Sequence, residues 1–193
     1  MAYDPRAASA LCSICPLLGK RVVPPQGPPD ADFMLIGEAP GRYEEIQGSP
    51  FVGQSGMALN EILAEAGIKR SRCMISNGTL CRPETPTAPP LKRHDMPTFI
   101  AYIRSLNAAA KKLAKSSKSE YKPIASPIDC CAPRLWREIH FLDQSARRRG
   151  RVNGIVIVPL GNFALTTSTG RRGIMKFRGS VISLDRDLEA GTT

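Results

Sequence analysis

Phe33-Met-Leu-Ile-Gly-Glu-Ala-Pro-Gly41 is the stretch on which the fold turns. Four apolar residues end at Gly37, and a short apolar run closed by a turn signal reads as a buried strand. From 37 to 56 the chain reads as one long loop. It runs through Gly37-Glu-Ala-Pro-Gly41, Arg42-Tyr-Glu-Glu-Ile-Gln47 and Gly48-Ser-Pro-Phe-Val-Gly53. Ser55 is placed to cap a helix reaching about Ala66, with Gly67 as its stop. Leu59, Ile62, Leu63 and Ala66 recur at helical spacing and are expected to face the core.

The same pattern returns further along. Cys73-Met-Ile-Ser76 reads as a second strand, leading into Asn77 and a loop through Cys81-Arg-Pro83. Residues 84–90, with three prolines, break regular structure, and residues 98–115 suit a helix. Lys111 to Lys122 is Lys- and Ser-rich and reads as mobile. Ser126-Pro127 opens a helical stretch toward Phe141, with a restart or kink expected at Pro133. Gly154-Ile-Val-Ile-Val-Pro159 is the clearest strand, Leu160-Gly161 leads into a short helix, and Val181-Ile-Ser-Leu184 is a weaker strand candidate. Strands separated by helices imply an α/β fold on a mostly parallel sheet, with ligands met at the strands' carboxyl ends. The Gly37 and Asn77 loops both leave strands there.

At 193 residues the chain is expected to form one domain, 1–193. Its 42% hydrophobic and 23% charged content excludes collagen-like and wholly disordered classes. No apolar run approaches the roughly 20 residues of a membrane span. The N-terminus lacks a basic segment followed by an apolar stretch, so a cytoplasmic, non-secreted protein is expected. The net charge of +10 suits a polyanion partner, and it is unevenly placed. Residues 1–91 carry eight basic and nine acidic side chains, whereas residues 92–151 carry fourteen and five. A polyanion would be met mainly by that middle segment, unless it is a solvated basic insert.

Six cysteines, at 12, 15, 73, 81, 130 and 131, are too sparse for a disulfide scaffold. Cys12 and Cys15 can point two sulfurs at one ion or cluster, which is half of a four-thiolate site. Cys73 lies inside an apolar strand and reads as a core thiol. Cys81, in a loop beside Pro83, is free to ligate. Of the adjacent pair, Cys131 is preferred and Cys130 stays open. Zinc and an iron–sulfur cluster both accept four cysteines, so spacing does not choose between them. Among the loop residues, two glycines and a proline at 37–41 let backbone amides converge, with Glu38 and Glu44 as carboxylates nearby. Phe51 either plugs the core or stacks on something flat. Asn77 either caps a turn or reads a base edge through its paired donor and acceptor.

Taken together, the segment Gly37 to Gly56 resembles the signature of the iron–sulfur uracil-DNA glycosylases, called family 4. Cys12-x-x-Cys15, Asn77 with Cys81-Arg-Pro83, Cys131-Ala-Pro-Arg-Leu135, Pro159-Leu-Gly161 and Arg178-Gly179 match in order and spacing. The resemblance covers most of residues 11–91 and 127–180, and the basic stretch at about 92–126 looks like an insertion. It implies a three-layer α/β/α sandwich on a short, mostly parallel sheet. It also implies a [4Fe-4S] cluster of structural role on Cys12, Cys15, Cys81 and Cys131. Phe51 would stack on an extruded uracil, Asn77 would pair with its edge, and backbone at Gly37 to Ala39 would approach the base. Glu38 and Glu44 would lie near the attacking water or the sugar. The implied protein is a monomeric, nucleoid-associated repair enzyme that hydrolyses the N-glycosidic bond of uracil in DNA.

One departure stands out. Family members carry a His-Pro-Ser-like loop beyond the last strand, whose His bonds the uracil, and no such motif follows Gly179. The histidines are His94, in the insertion, and His140, on a helix. A catalytically weak or inactive iron–sulfur DNA-binding module of the same fold is therefore the alternative, with a partner or missing segment completing the site. Arg147-Arg-Arg-Gly-Arg151 supplies candidate DNA contacts through Arg147, Arg148 and Arg149.

Overall fold

The computed structural model describes residues 4–84, 95–182 and 184. Three parallel strands, β1 (Phe33–Gly37), β2 (Cys73–Asn77) and β3 (Val156–Pro159), form a sheet in the order β2-β1-β3. Register pairs Phe33 with Cys73 and Val156, and at the far end it pairs Gly37 with Asn77. The two loops singled out in the sequence therefore leave neighbouring strands side by side.

The helices follow in chain order: α1 (Arg42–Gln47), α2 (Gln54–Glu65), α3 (Met96–Ser117), α4 (Pro127–Arg148), α5 (Asn162–Thr169) and α6 (Ile174–Phe177). Alternation along β1 explains the layers. Met34 and Ile36 pack with Leu135, Ile139 and Leu142 of α4 and Ala164 of α5. Leu35, facing the other way, packs with Leu59 and Leu63 of α2 and with Ile75. Helices on both faces of a parallel sheet give the expected three layers. A third cluster joins Leu17 to Met96, Phe99 and Ile103 of α3 at the carboxyl edge.

Several local expectations are corrected. The 37–56 stretch is not all loop, because α1 forms within it and α2 starts at Gln54 with Gly53, not Ser55, as N-cap. The α2 core stripe is narrower than its periodicity suggested: Leu59 and Leu63 are buried, while Ile62 and Ala66 are exposed. Gly67 does end that helix region, with φ of +68°. Residues 111–117, read as mobile, continue α3, since Ala and Lys are good helix formers. Pro133, where a restart or kink was expected, lies inside α4, which runs on to Arg148. Val181, Ile182 and Leu184 are not in a strand, and Ser183 lies outside the described residues, as do residues 85–90 and His94.

The N-terminal segment runs antiparallel along the outer edge of β2, with bridges Val22–Cys81 and Gln26–Ile75. At the amino edge, buried Asp32 pairs with Arg72 and Arg151, tying the entries of all three strands. Among the described residues, no helix is long and apolar enough to cross a membrane.

Candidate active site

Gly37 and Asn77 end adjacent strands, and the space above Gly37 is where the two loops meet. A β-carbon at Gly37 would collide with Asn77 Oδ1 and with the Phe51 ring, 2.6 Å from Cζ. The ring of Phe51 and the carboxamide of Asn77 thus converge on one backbone position, where only a glycine fits. Asn77 is 1% exposed and its Nδ2 has no hydrogen-bond partner among the described residues. A buried, unpaired amide donor costs about 1–3 kcal/mol.

Phe51 is held by its backbone. It adopts φ of +55°, a strained region for a residue with a side chain. Its N–H donates to Glu44 Oε1 at 2.6 Å, and Arg70 Nη2 donates to its carbonyl at 3.3 Å and to Pro50 O at 3.2 Å. Gly56 packs so closely on the Phe51 carbonyl that any β-carbon there would clash. Glu44, expected near the attacking water, is 8% exposed and gives its second oxygen to the Gly41 N–H at 2.8 Å. Its geometry is that of a bracket around the 41–51 loop.

Glu38, next along the Gly37 loop, is half-buried, and its Oε1 accepts from the Met96 N–H at 3.0 Å, in the first turn of α3. Burial raises its carboxyl above the ordinary glutamate value; the Met96 amide opposes that rise and Asp95 adds to it. Ala39 packs against the Leu17–Phe99 cluster. The Gly37 loop thus closes onto α3 as well as onto β2.

Behind the Asn77 loop lies Arg134 of α4, fully buried. Its Nη2 donates to Asn77 O at 2.7 Å and Gly78 O at 3.1 Å, and its Nη1 to Ser76 Oγ at 3.0 Å and Glu138 Oε2 at 2.8 Å. One guanidinium therefore fixes three successive residues where β2 ends. The sequence reading gave Arg134 no role, although a basic residue in line with the buried positions Leu135 and Ile139 of α4 is the signal that a partner must await it.

Arg134 is one helical turn from Cys131, and the cysteines gather next to it. Cys12, Cys15, Cys81, Cys130 and Cys131 line one cavity of about 250 Å³, together with Leu17, Leu80 and Pro127. The Leu11 N–H donates to Cys130 O at 2.8 Å, binding the Cys12 turn to α4. Burial, then the neighbouring Cys131, raises the Cys12 thiol. Burial, then Cys131 and Cys12, pushes Cys81 up to about 12. Cys15 is also raised to about 12, by burial first, and among its sulfur neighbours Cys130 acts most strongly. All are free thiols, and Cys73 is buried in the core as expected. Among the described residues no three Cys, His, Asp or Glu side chains converge on one metal-ion position. The thiols instead surround a volume.

Arg147, Arg148 and Arg149 are not brought to this edge. They lie at the last turn of α4, about 20 Å along the helix from Arg134 at 1.5 Å per residue. Arg147 donates to Asp143 at 2.7 Å, and Arg149 to Ser145 at 2.7 Å and to Ala31 O at 3.4 Å, beside the amino end of β1. Phe51 and Asn77, by contrast, meet at the carboxyl end of β1. His140 Nε2 lies 2.7 Å from Gln144 Nε2, within α4.

Sequence comparison agrees with a parallel three-layer α/β/α fold. The chain belongs to the uracil DNA glycosylase superfamily, whose family model matches residues 24–183. Within it, the chain is similar to proteins named type-4 uracil-DNA glycosylase. It is 44% identical to that of Thermotoga maritima over 81 residues, covering 39% of this chain and 42% of the relative. It is 36% identical to that of Pyrobaculum aerophilum over 94 residues (48% and 47%), and 46% identical to that of Archaeoglobus fulgidus over 61 residues (32% and 31%). In these matches the chain spans less than half the length of each relative.

Proposed function

We propose that the chain excises uracil from DNA by hydrolysing its N-glycosidic bond, the first step of base excision repair. The unpaired Nδ2 of buried Asn77, beside the Phe51 ring above Gly37, is the observation that carries this reading. Uracil presents an N3–H donor next to carbonyl acceptors, and a carboxamide matches that pair with Oδ1 and Nδ2. Stacking on Phe51 returns about 1–3 kcal/mol, offsetting the few kcal/mol that extrusion costs. Bond cleavage builds positive charge on the deoxyribose and negative charge on the departing base. Asn77 Nδ2 stabilises the second, and the backbone at Gly37 to Ala39 lies against the base. In this reading Glu38, half-buried in the Gly37 loop, stabilises the sugar cation or orients the water. Glu44 serves the same chemistry at one remove, by holding Phe51.

Cys12, Cys15, Cys81 and Cys131 are the proposed ligands of a [4Fe-4S] cluster. Supporting this, the thiols ring a cavity rather than one point, and raised thiols need a cationic partner to ionise. Cys131 is the sulfur whose charge weighs most on both Cys12 and Cys81, whereas Cys130 hydrogen-bonds with Cys15. When bound, such a cluster would cross-link the N-terminal turn that carries Cys12 and Cys15, the loop beyond β2 that carries Cys81, and α4.

Incubation of iron- and sulfide-replete protein with a uracil-containing oligonucleotide tests the proposal. Free uracil and alkali-labile sites are expected. Salt-sensitive DNA binding with no release at enzyme excess would reject catalysis and leave a binding module.

A further inference from the structure

A second concavity, about 770 Å³, opens between α3, the first turn of α4, and α5. It lies within the 300–1,000 Å³ of small-molecule sites and is wider than one base needs. Its apolar floor includes Ile100 and Phe163, which pack in the same cluster as Ala39 of the Gly37 loop. Its wall includes Thr167, whose Oγ1 lies 3.7 Å from where a β-carbon on Gly78 would sit. The groove and the Asn77–Gly78 loop therefore share a wall. The Glu38–Met96 hydrogen bond anchors α3, the outer bank, to the same loop cluster.

Its charge is distinctive. Arg104 of α3 and Arg172, which follows α5, both line the groove, and neither has a hydrogen-bond or ion-pair partner among the described residues. Asp129 is the acidic lining residue. The hydroxyl of Ser126, at the N-cap of α4, also lines it and makes no capping bond. Two unpaired guanidiniums across an apolar floor match a phosphate joined to a flat ring.

We propose that this groove is a subsite for an unpaired nucleotide flanking the extruded uridine. Its phosphate sits between Arg104 and Arg172 and its base lies on Ile100 and Phe163. The inference rests on the base-excision reading of the neighbouring slot. A flanking nucleotide in a duplex is held by its own pair and cannot enter, so single-stranded or locally opened DNA is the preferred substrate. The bank that makes the groove is α3, within the segment that looks like an insertion.

The test is fluorescence anisotropy of a labelled, uracil-free single-stranded 15-mer across a salt series, with uracil release measured in parallel from a uracil 15-mer. Each phosphate contact to single strands contributes about 0.7 to the log–log salt slope. Arg104→Gln/Arg172→Gln should lower the slope by about 0.7, the share of the one phosphate they hold, and weaken binding roughly tenfold at low salt, with little change on blunt duplex. Asp129→Asn should tighten binding. An unchanged slope in the double variant, or equal losses on duplex and single strand, overturns the groove. If wild-type protein releases no uracil while the slope still falls, the excision reading fails and the groove stands as a strand-binding site. If uracil is released but the slope is unchanged, the groove alone fails.

Discussion

Asn77 and Phe51 meet over Gly37, and each of the three tolerates little change. Phe51→Ala removes the stacking face and should lower uracil release about 5- to 150-fold, the range of 1–3 kcal/mol, while DNA binding changes far less. Equal losses in both would show that the ring only packs. Glu44→Gln keeps the acceptor for one backbone N–H but places an NH₂ against the other, so the Phe51 loop should loosen. A fall in release with unchanged circular dichroism is the expected readout. Glu38 carries a pH signature. Its folded carboxyl is raised by burial, so release should decline on the acid side at a pH above the ordinary glutamate value of about 4.3. Glu38→Gln should flatten that limb at a low rate. Because the folded state holds this proton more tightly than the unfolded chain, Glu38 costs stability as pH rises through and above the glutamate range. Glu38→Gln should therefore melt higher relative to wild type at neutral pH than at pH 4, and the opposite ordering would contradict the burial of this group.

At the scale of elements, the strands were legible because each is buried and bounded by turn residues, and β1 carries the alternation that builds both layers. Helix α1 was hidden in a Gly- and Pro-rich stretch, although Glu44 three residues after Gly41 was a readable N-terminal signal. Composition misled at 111–117, where Lys and Ser suggested mobility and Ala-rich helix propensity prevailed. At Pro133 the helix runs on, with Leu135, Ile139 and Leu142 buried in the core against the roughly 3 kcal/mol cost of an internal proline. The residues that meet over Gly37 were each singled out in the sequence, but their supports were not. Arg134 and Arg70 act through carbonyls distant in sequence, which no spacing rule reveals. Cys130 and Cys131 both line the cavity; on the proposed ligand set, Cys131→Ser should lose iron and sulfide and lower the melting temperature, whereas Cys130→Ser should keep most of its iron. The reverse pattern would move the fourth ligand to Cys130.

For the whole molecule, a charge of +10 says that a polyanion is favoured and nothing about where. The fold separates the basic groups by edge. Arg147 to Arg149 sit at the amino edge with protein partners, and Arg104 and Arg172 line the groove beside α3 and α5 with none among the described residues. Neutralising Arg147, Arg148 and Arg149 together should therefore leave the salt slope of DNA binding unchanged. A drop of about 0.9 per lost duplex contact would bring that edge back as a DNA face.

Single-turnover release of uracil from an oligonucleotide, measured for wild type and Asn77→Leu beside DNA affinity for both, bears most directly on the slot. The leucine branches at the same carbon without donor or acceptor. Release should fall at least a hundredfold with affinity within about twofold. Release at the wild-type rate would mean that the buried carboxamide does not read the base.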